Sequence, residues 1–166
     1  MRRTDRYRFW FVLAGLVLLH FTVRSQLGRD DVAPDFLLLA QLIYTIRARP
    51  GVSAGVGFIV GLLEDALTPA SFGAGMLSHT LVGYLSSWAK AVFFAENVLV
   101  NGGLFFVGTW LRNLILILAS GKLKGAQLGW ALLAWSPLQG LTTALVGVLV
   151  LSLFREWLML RFGGEA

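Results

Sequence analysis

A succession of hydrophobic runs, separated by short polar breaks, occupies most of this 166-residue chain. Hydrophobic residues make up 57% of the chain, charged residues make up 14%, and the mean hydropathy is +0.73. A soluble domain of this composition would have too little polar surface to cover itself. The sequence therefore predicts an all-α integral membrane protein, with residues 1–166 forming a single transmembrane bundle.

Six segments are predicted to span the membrane. They are residues 9–27, 34–46, 51–67, 73–95, 97–119 and 137–154. The second would rise only about 20 Å as a helix, against a hydrocarbon core of about 30 Å, so a re-entrant segment is the alternative there. Ser136-Pro137 is typical of a helix N-cap followed by proline at the first helical position. It separates the last span from an interfacial segment at about 127–135; the alternative is one long helix kinked at Pro137.

The distribution of basic residues predicts the orientation of the bundle. With six spans and a cytoplasmic N-terminus, nine of the 14 Lys and Arg residues are cytoplasmic and four are outside. Omitting the second span gives six inside and seven outside, so six spans with both termini cytoplasmic is the better fit. Lys122 and Lys124 remain on the disfavoured side. The net charge of +5 is then explained by basic residues that flank the membrane segments and contact anionic lipid, and not by nucleic-acid binding.

The third segment carries glycines at helical spacing. They are Gly51, Gly55, Gly57 and Gly61. Each pair separated by four residues lets a neighbouring backbone approach closely. One face of this helix is predicted to hold Ala54, Phe58, Gly61 and Asp65, with Gly57 and Glu64 bordering it. The pattern indicates either tight packing within the chain or an interface with another protein, including a second copy in a homo-oligomer.

Four ionisable residues are candidates for an intramembrane charge site. They are Glu64, Asp65, His79 and Arg112. The turn at 68–72 returns the fourth helix antiparallel to the third, which brings His79 near Gly61 or Glu64. An arginine inside a membrane helix needs a partner or must reach the interface, and Asp65 or Glu64 is the expected partner of Arg112.

No catalytic motif accompanies these charges. The sequence lacks an HExxH metal helix, a serine-nucleophile glycine motif and a phosphate-loop lysine, and it has only two histidines and no cysteine. We therefore expect no enzyme activity, no metal and no cofactor.

A set of residues between Pro34 and Tyr84 resembles the bacterial rod-shape-determining protein MreD family. These residues are Pro34-Asp35-Phe36, Gly55, Gly57-Phe58, Gly61-Leu62, Asp65, Phe72-Gly73, Leu77, Leu81 and Gly83-Tyr84. The similarity extends over nearly the whole chain in size, basic N-terminus and number of spans. Glu64 and the basic pair at 122 and 124 depart from the family pattern. Candidates for partner binding or helix packing are Gly51, Gly55, Gly57, Phe58, Gly61, Asp65, Gly73, Gly83 and Tyr84.

This resemblance implies a non-enzymatic inner-membrane subunit of the elongasome, which organises lateral peptidoglycan synthesis. It implies an MreC-like single-span partner and indirect links to MreB filaments, the RodA glycosyltransferase and a penicillin-binding transpeptidase. The family is also similar in architecture to the S components of energy-coupling-factor transporters, so a vitamin-binding subunit is the alternative function. A leucine at Gly57 or Gly61 is expected to weaken partner binding. Asp65→Ala is expected to abolish function by leaving Arg112 unpaired.

Overall fold

The computed structural model describes residues 3–23, 32–93, 98–154 and 157–158. All regular structure in these residues is helical, which confirms the all-α prediction. The helices are α1 (Arg3–Thr22), α2 (Phe36–Thr45), α3 (Pro50–Leu67), α4 (Ala74–Phe93), α5 (Val98–Ser120), α6 (Gly125–Trp130) and α7 (Ser136–Leu153). A short 3-10 turn at Pro69–Ser71 joins α3 to α4, and a π-helical segment at Ala131–Trp135 joins α6 to α7.

Three helical stretches among the described residues are long and apolar enough to cross a membrane: Pro50–Leu67, Val98–Ser120 and Gly125–Leu153. Tyr7–Thr22 and Phe36–Thr45 are shorter apolar helices. Helix α4 has 20 residues, but it carries buried polar side chains that include Ser78, His79 and Ser86. Because these side chains face other helices, α4 can be less hydrophobic than its neighbours and still pack inside the bundle.

Helix α2 is the centre of the bundle and contacts α1, α3, α4, α5 and α7. Its 10 residues rise about 15 Å, and all of them except Tyr44 are buried. At its end, Lys90 Nζ donates to the carbonyls of Thr45 and Ala48 at 3.2 Å, and Ser87 Oγ donates to Ala48 at 2.7 Å. The short helix is therefore held at its C-terminal end by side chains of α4.

Helices α3 and α4 pack as a close antiparallel hairpin. The buried stripe of α3 consists of Ser53, Gly57, Gly61 and Asp65, spaced by four residues. This differs from the predicted face, because Phe58 is 50% exposed. A Cβ atom at Gly57 would collide with the His79 carbonyl, and one at Gly61 with the backbone at Gly75. The α4 backbone therefore packs against the stripe of α3 that has glycine, without a side chain, at the two closest contacts.

The proline at 137 lies inside a continuous helical backbone from Gly125 to Leu153. Ser136, predicted to be an N-cap, has helical angles of φ −65° and ψ −43°. Its hydroxyl donates to the Ala131 carbonyl at 2.7 Å, and the Trp110 indole of α5 donates to the Leu132 carbonyl at 3.1 Å. Pro137 has no N–H to donate to the preceding turn. The π-helical segment and these two donors compensate for that missing donor, so the helix continues through Pro137.

Candidate functional site

Ionisable and amide side chains from separate helices meet inside the bundle. We name as the buried charge cluster the residues Asp35, Gln41, Glu64, His79, Arg112 and Asn113. All are buried except Glu64, whose side chain is 17% exposed. Buried charges are tolerated only where they are paired and hydrogen-bonded, so the contacts within the cluster decide what it can do.

Arg112 of α5 lies between two carboxylates. Its Nη2 donates to Glu64 Oε1 of α3, and its Nη1 donates to Asn113 Oδ1 at 3.0 Å. Nη1 also lies 3.8 Å from Oδ2 of Asp35, the residue that caps the N-terminus of α2. Of the two expected partners, Glu64 is the one that contacts Arg112, and Asp35 supplies a second negative charge that the sequence did not indicate.

Asp65 has a different role, although it is adjacent to Glu64. Its carboxylate accepts hydrogen bonds from the backbone N–H groups of Gly73 (2.8 Å), Gly75 (2.9 Å) and Met76 (2.9 Å). Gly73 has φ +96°, a conformation that favours glycine. Asp65 therefore satisfies the first donors of α4, where a negative charge also complements the helix dipole. The expectation that Asp65→Ala would leave Arg112 unpaired is wrong.

His79 of α4 connects α3 to α2. Its Nε2 lies 2.9 Å from Glu64 Oε2, in agreement with the predicted antiparallel return, and its Nδ1 contacts Gln41 Oε1. The Gln41 side chain donates from Nε2 to the His79 carbonyl at 2.7 Å. One amide side chain of α2 therefore contacts both the ring and the backbone of His79.

Further polar contacts extend the cluster to α1 and α7. His20 Nδ1 accepts from the Leu37 N–H at 3.2 Å and lies 3.5 Å from Asp35 Oδ1. Gln139 Oε1 accepts from Asn113 Nδ2 at 2.6 Å, and Gln139 Nε2 donates to the Ala33 carbonyl at 3.0 Å. Because these bonds link helices distant in sequence, the cluster fixes the relative positions of α1, α2, α3, α4, α5 and α7.

The predicted glycine positions divide into two groups. Gly57, Gly61 and Gly83 are buried in contacts between α3 and α4. A leucine at Gly57 or Gly61 would therefore disrupt the hairpin itself, which corrects the expectation of a direct effect on a partner. Gly51 and Gly55 are exposed, and a Cβ atom added to either would meet no other atom within 4 Å. Phe58 and Tyr84 are about half exposed.

Sequence reasoning missed Asp35, Gln41 and Asn113 as members of the site. Gln41 gave a usable signal, since it is a large polar residue inside the apolar run of α2. Asn113 follows Arg112 directly in an apolar helix. Asp35 was noted only for its place in the family pattern, and its role depends on Arg112, far away in sequence.

The arrangement can pair charges, hold protons and join helices. Among the described residues there is no group of three or more His, Cys, Asp or Glu side chains that could hold a metal ion. Apolar helices joined by a buried ionic network define a multi-pass helical membrane protein.

The sequence profile of the rod shape-determining protein MreD matches residues 1–159 of the 166-residue chain, so the chain belongs to the MreD family. It is therefore a rod-shape-determining membrane protein of bacteria and a component of the MreBCD shape machinery. Comparisons with curated proteins and with solved structures returned no match.

Proposed function

We propose that the protein is a non-enzymatic subunit of the elongasome in the bacterial inner membrane, and that it binds an MreC-like single-span partner. The bundle crosses the membrane six times with both termini cytoplasmic. Links to MreB filaments, the RodA glycosyltransferase and the penicillin-binding transpeptidase are indirect, through that partner. The observation that carries the proposal is the open face of α3.

This open face, opposite the buried stripe, is apolar and contains two small residues. Val52 and Ile59 are 52% and 66% exposed, and Leu62 is 41% exposed. Gly51 and Gly55 lie on the same face, and a Cβ atom added to either would meet no other described atom within 4 Å. Small residues four positions apart on a membrane helix let a second helix approach closely. The α3 glycines therefore support two contacts, one inside the chain and one with a partner.

A groove beside this face adds room for a helix. It has a volume of about 230 Å³ and lies between α1 and α3, with α2 below. Its walls include Trp10, Ala40, Tyr44, Val56 and Ile59. Apolar walls suit a hydrophobic transmembrane segment, and the aromatic side chains offer large contact areas.

The alternative function, an S-component-like vitamin-binding subunit, requires a polar and aromatic cavity open to the outside. The groove at α1–α3 is almost wholly apolar, and so is a cavity of about 270 Å³ between α4 and α5, where Lys90 and Asn101 are the polar residues. These walls favour the partner-binding function. Purification from native membranes with a bound vitamin and an associated ATPase module would favour the alternative.

The test compares Gly55→Leu with Gly103→Leu. Both glycines are exposed on helices with no atom within 4 Å of an added Cβ, so neither leucine disturbs the bundle. The full-length variants are coexpressed with the MreC-like partner of the same organism and captured from solubilised membranes. We expect Gly55→Leu to reduce capture about tenfold, equivalent to about 1.4 kcal/mol, and Gly103→Leu to leave it unchanged.

Equal capture by wild type and Gly55→Leu would contradict the partner-binding role of the α3 face. If Gly55→Leu instead abolished self-association and kept the partner, the face would belong to a homo-oligomer.

A further inference from the structure

Both ring nitrogens of His79 face oxygen atoms. Nδ1 contacts Gln41 Oε1, and Nε2 lies 2.9 Å from Glu64 Oε2. A neutral imidazole has one N–H donor and one lone pair, whereas an amide oxygen and an ionised carboxylate only accept. With a neutral ring and an ionised Glu64, one of these contacts would set a lone pair against a lone pair.

The orientation of the Gln41 amide decides which ring nitrogen carries a hydrogen. Gln41 Nε2 donates to the His79 carbonyl at 2.7 Å. The opposite orientation would place two oxygens at that distance and is excluded by their repulsion. Gln41 Oε1 therefore accepts from His79 Nδ1–H, and the remaining contact, between Nε2 and Glu64, requires a proton of its own.

We infer that the His79–Glu64 pair is a proton-binding site in the interior of the bundle. The proton resides on Nε2, which gives an imidazolium beside a carboxylate, or on Glu64, which then donates to the neutral ring. In either form the pair binds one proton more than a neutral histidine and an ionised glutamate would. The inference rests on geometry alone and does not depend on the proposed partner.

Among the described residues, charged and polar side chains from several helices surround the pair. Arg112 of α5 contacts Glu64, and Asp35 at the start of α2 lies 3.8 Å from Arg112. His20 of α1 is adjacent to Asp35, Asp65 of α3 is bound to the backbone of α4, and α7 contributes the uncharged Gln139 and Thr143. On α4, Lys90 binds carbonyls at the far end of α2. Within the described part of the chain, Glu64 therefore contacts one cation, Arg112, and the ring of His79.

Loss of the proton would loosen the contacts that join α4 to α3 and α2. Glu64 is the partly exposed member of the pair, at 17%, whereas the His79 side chain has no exposure. Because the folded state binds this proton, raising the pH disfavours the folded state. The packing of the α3–α4 hairpin is therefore sensitive to pH.

The decisive experiment is NMR on the full-length protein in lipid nanodiscs, labelled with ¹⁵N-histidine and ¹³C-glutamate. The chain contains two histidines, and among the described residues only His79 contacts a glutamate, so magnetisation transfer identifies the pair. We expect at pH 7 either two protonated ring nitrogens, or an Nδ1–H ring next to a protonated carboxyl carbon. An Nε2–H neutral ring, or an Nδ1–H ring beside an ionised carboxylate, would overturn the inference.

A second measurement tests the link to stability without requiring any change in Glu64. Thermal unfolding of wild type and His79→Gln is followed as a function of pH. Wild type should lose stability in a step as the pH rises, and His79→Gln should lack that step. A step of equal size in both proteins would show that proton loss from the pair does not control packing.

Discussion

Arg112 shows how one side chain can satisfy charges from several helices. Its planar guanidinium directs Nη2 towards Glu64 and Nη1 towards Asn113, and Asp35 also lies near Nη1. A lysine would keep the charge, but a single ammonium cannot reproduce this fork. Removing one contact would leave a buried acceptor without its donor, which costs about 1–3 kcal/mol.

We therefore predict that Arg112→Lys lowers the free energy of unfolding by about 1–3 kcal/mol. Arg49→Lys is the matched control, because Arg49 is exposed and its side chain caps no helix. Thermal unfolding of both purified variants checks the prediction. Equal melting temperatures would show that charge alone, without the fork, is sufficient.

Asp65 should stabilise the start of α4 rather than the charge cluster. In Asp65→Ala, three backbone N–H groups lose their acceptor, and we expect a loss of about 1–2 kcal/mol, as for other helix caps. Hydrogen exchange should accelerate at the Gly75 and Met76 amides. Glu64→Gln should leave exchange at these amides unchanged. If hydrogen exchange at these amides were faster in Glu64→Gln and unchanged in Asp65→Ala, the roles assigned to the two acids would be reversed.

At the scale of elements, the α3–α4 hairpin depends on which glycines face inwards. Gly57→Ala would force a Cβ against the His79 carbonyl, a backbone atom that cannot rotate away, and overpacking of this kind costs about 1–3 kcal/mol. Gly55→Ala adds a methyl group in open space and should stabilise the helix by up to about 1 kcal/mol. Thermal unfolding distinguishes them. Similar stability of the two variants would contradict the assigned inner face.

The sequence predicted the number and approximate positions of the elements because hydrophobic runs are local signals. It left open whether α6 continues into α7 and favoured a break there, because the signature of Ser136-Pro137 is also that of a helix start. The outcome depended on the Trp110 indole reaching Leu132 from α5, a contact between residues distant in sequence. Which glycine-bearing face of α3 turns inwards was left open for a similar reason, since glycine pairs allow close approach on either side.

The charge cluster was predictable in part. Ionisable residues in apolar helices pointed to Glu64, His79 and Arg112, because such residues are costly in a membrane. The choice between Glu64 and Asp65 as the partner of Arg112 was not predictable. The adjacent Glu64 and Asp65 differ by one helical position, and only the arrangement of α4 and α5 assigns one to Arg112 and the other to backbone amides.

At the scale of the whole molecule, the six-span topology can be tested because the chain has no cysteine. Any cysteine introduced is the only thiol. We predict that Thr68→Cys and Lys122→Cys, both at exposed positions, react with a membrane-impermeant maleimide added to intact spheroplasts. Arg49→Cys, also exposed, should react only after lysis. Labelling of position 49 in intact spheroplasts would show that the orientation is the reverse of the one proposed.

The short central α2 also constrains how the protein is made. Its first turn contacts His20 of α1 and is capped by its own Asp35, whereas the carbonyls of Thr45, its last residue, and of Ala48, just beyond it, accept hydrogen bonds from Lys90 and Ser87 of α4. Because α4 follows α2 in the chain, these hydrogen bonds form only after α4 has been synthesised, so the packing at the centre of the bundle is completed by a later segment.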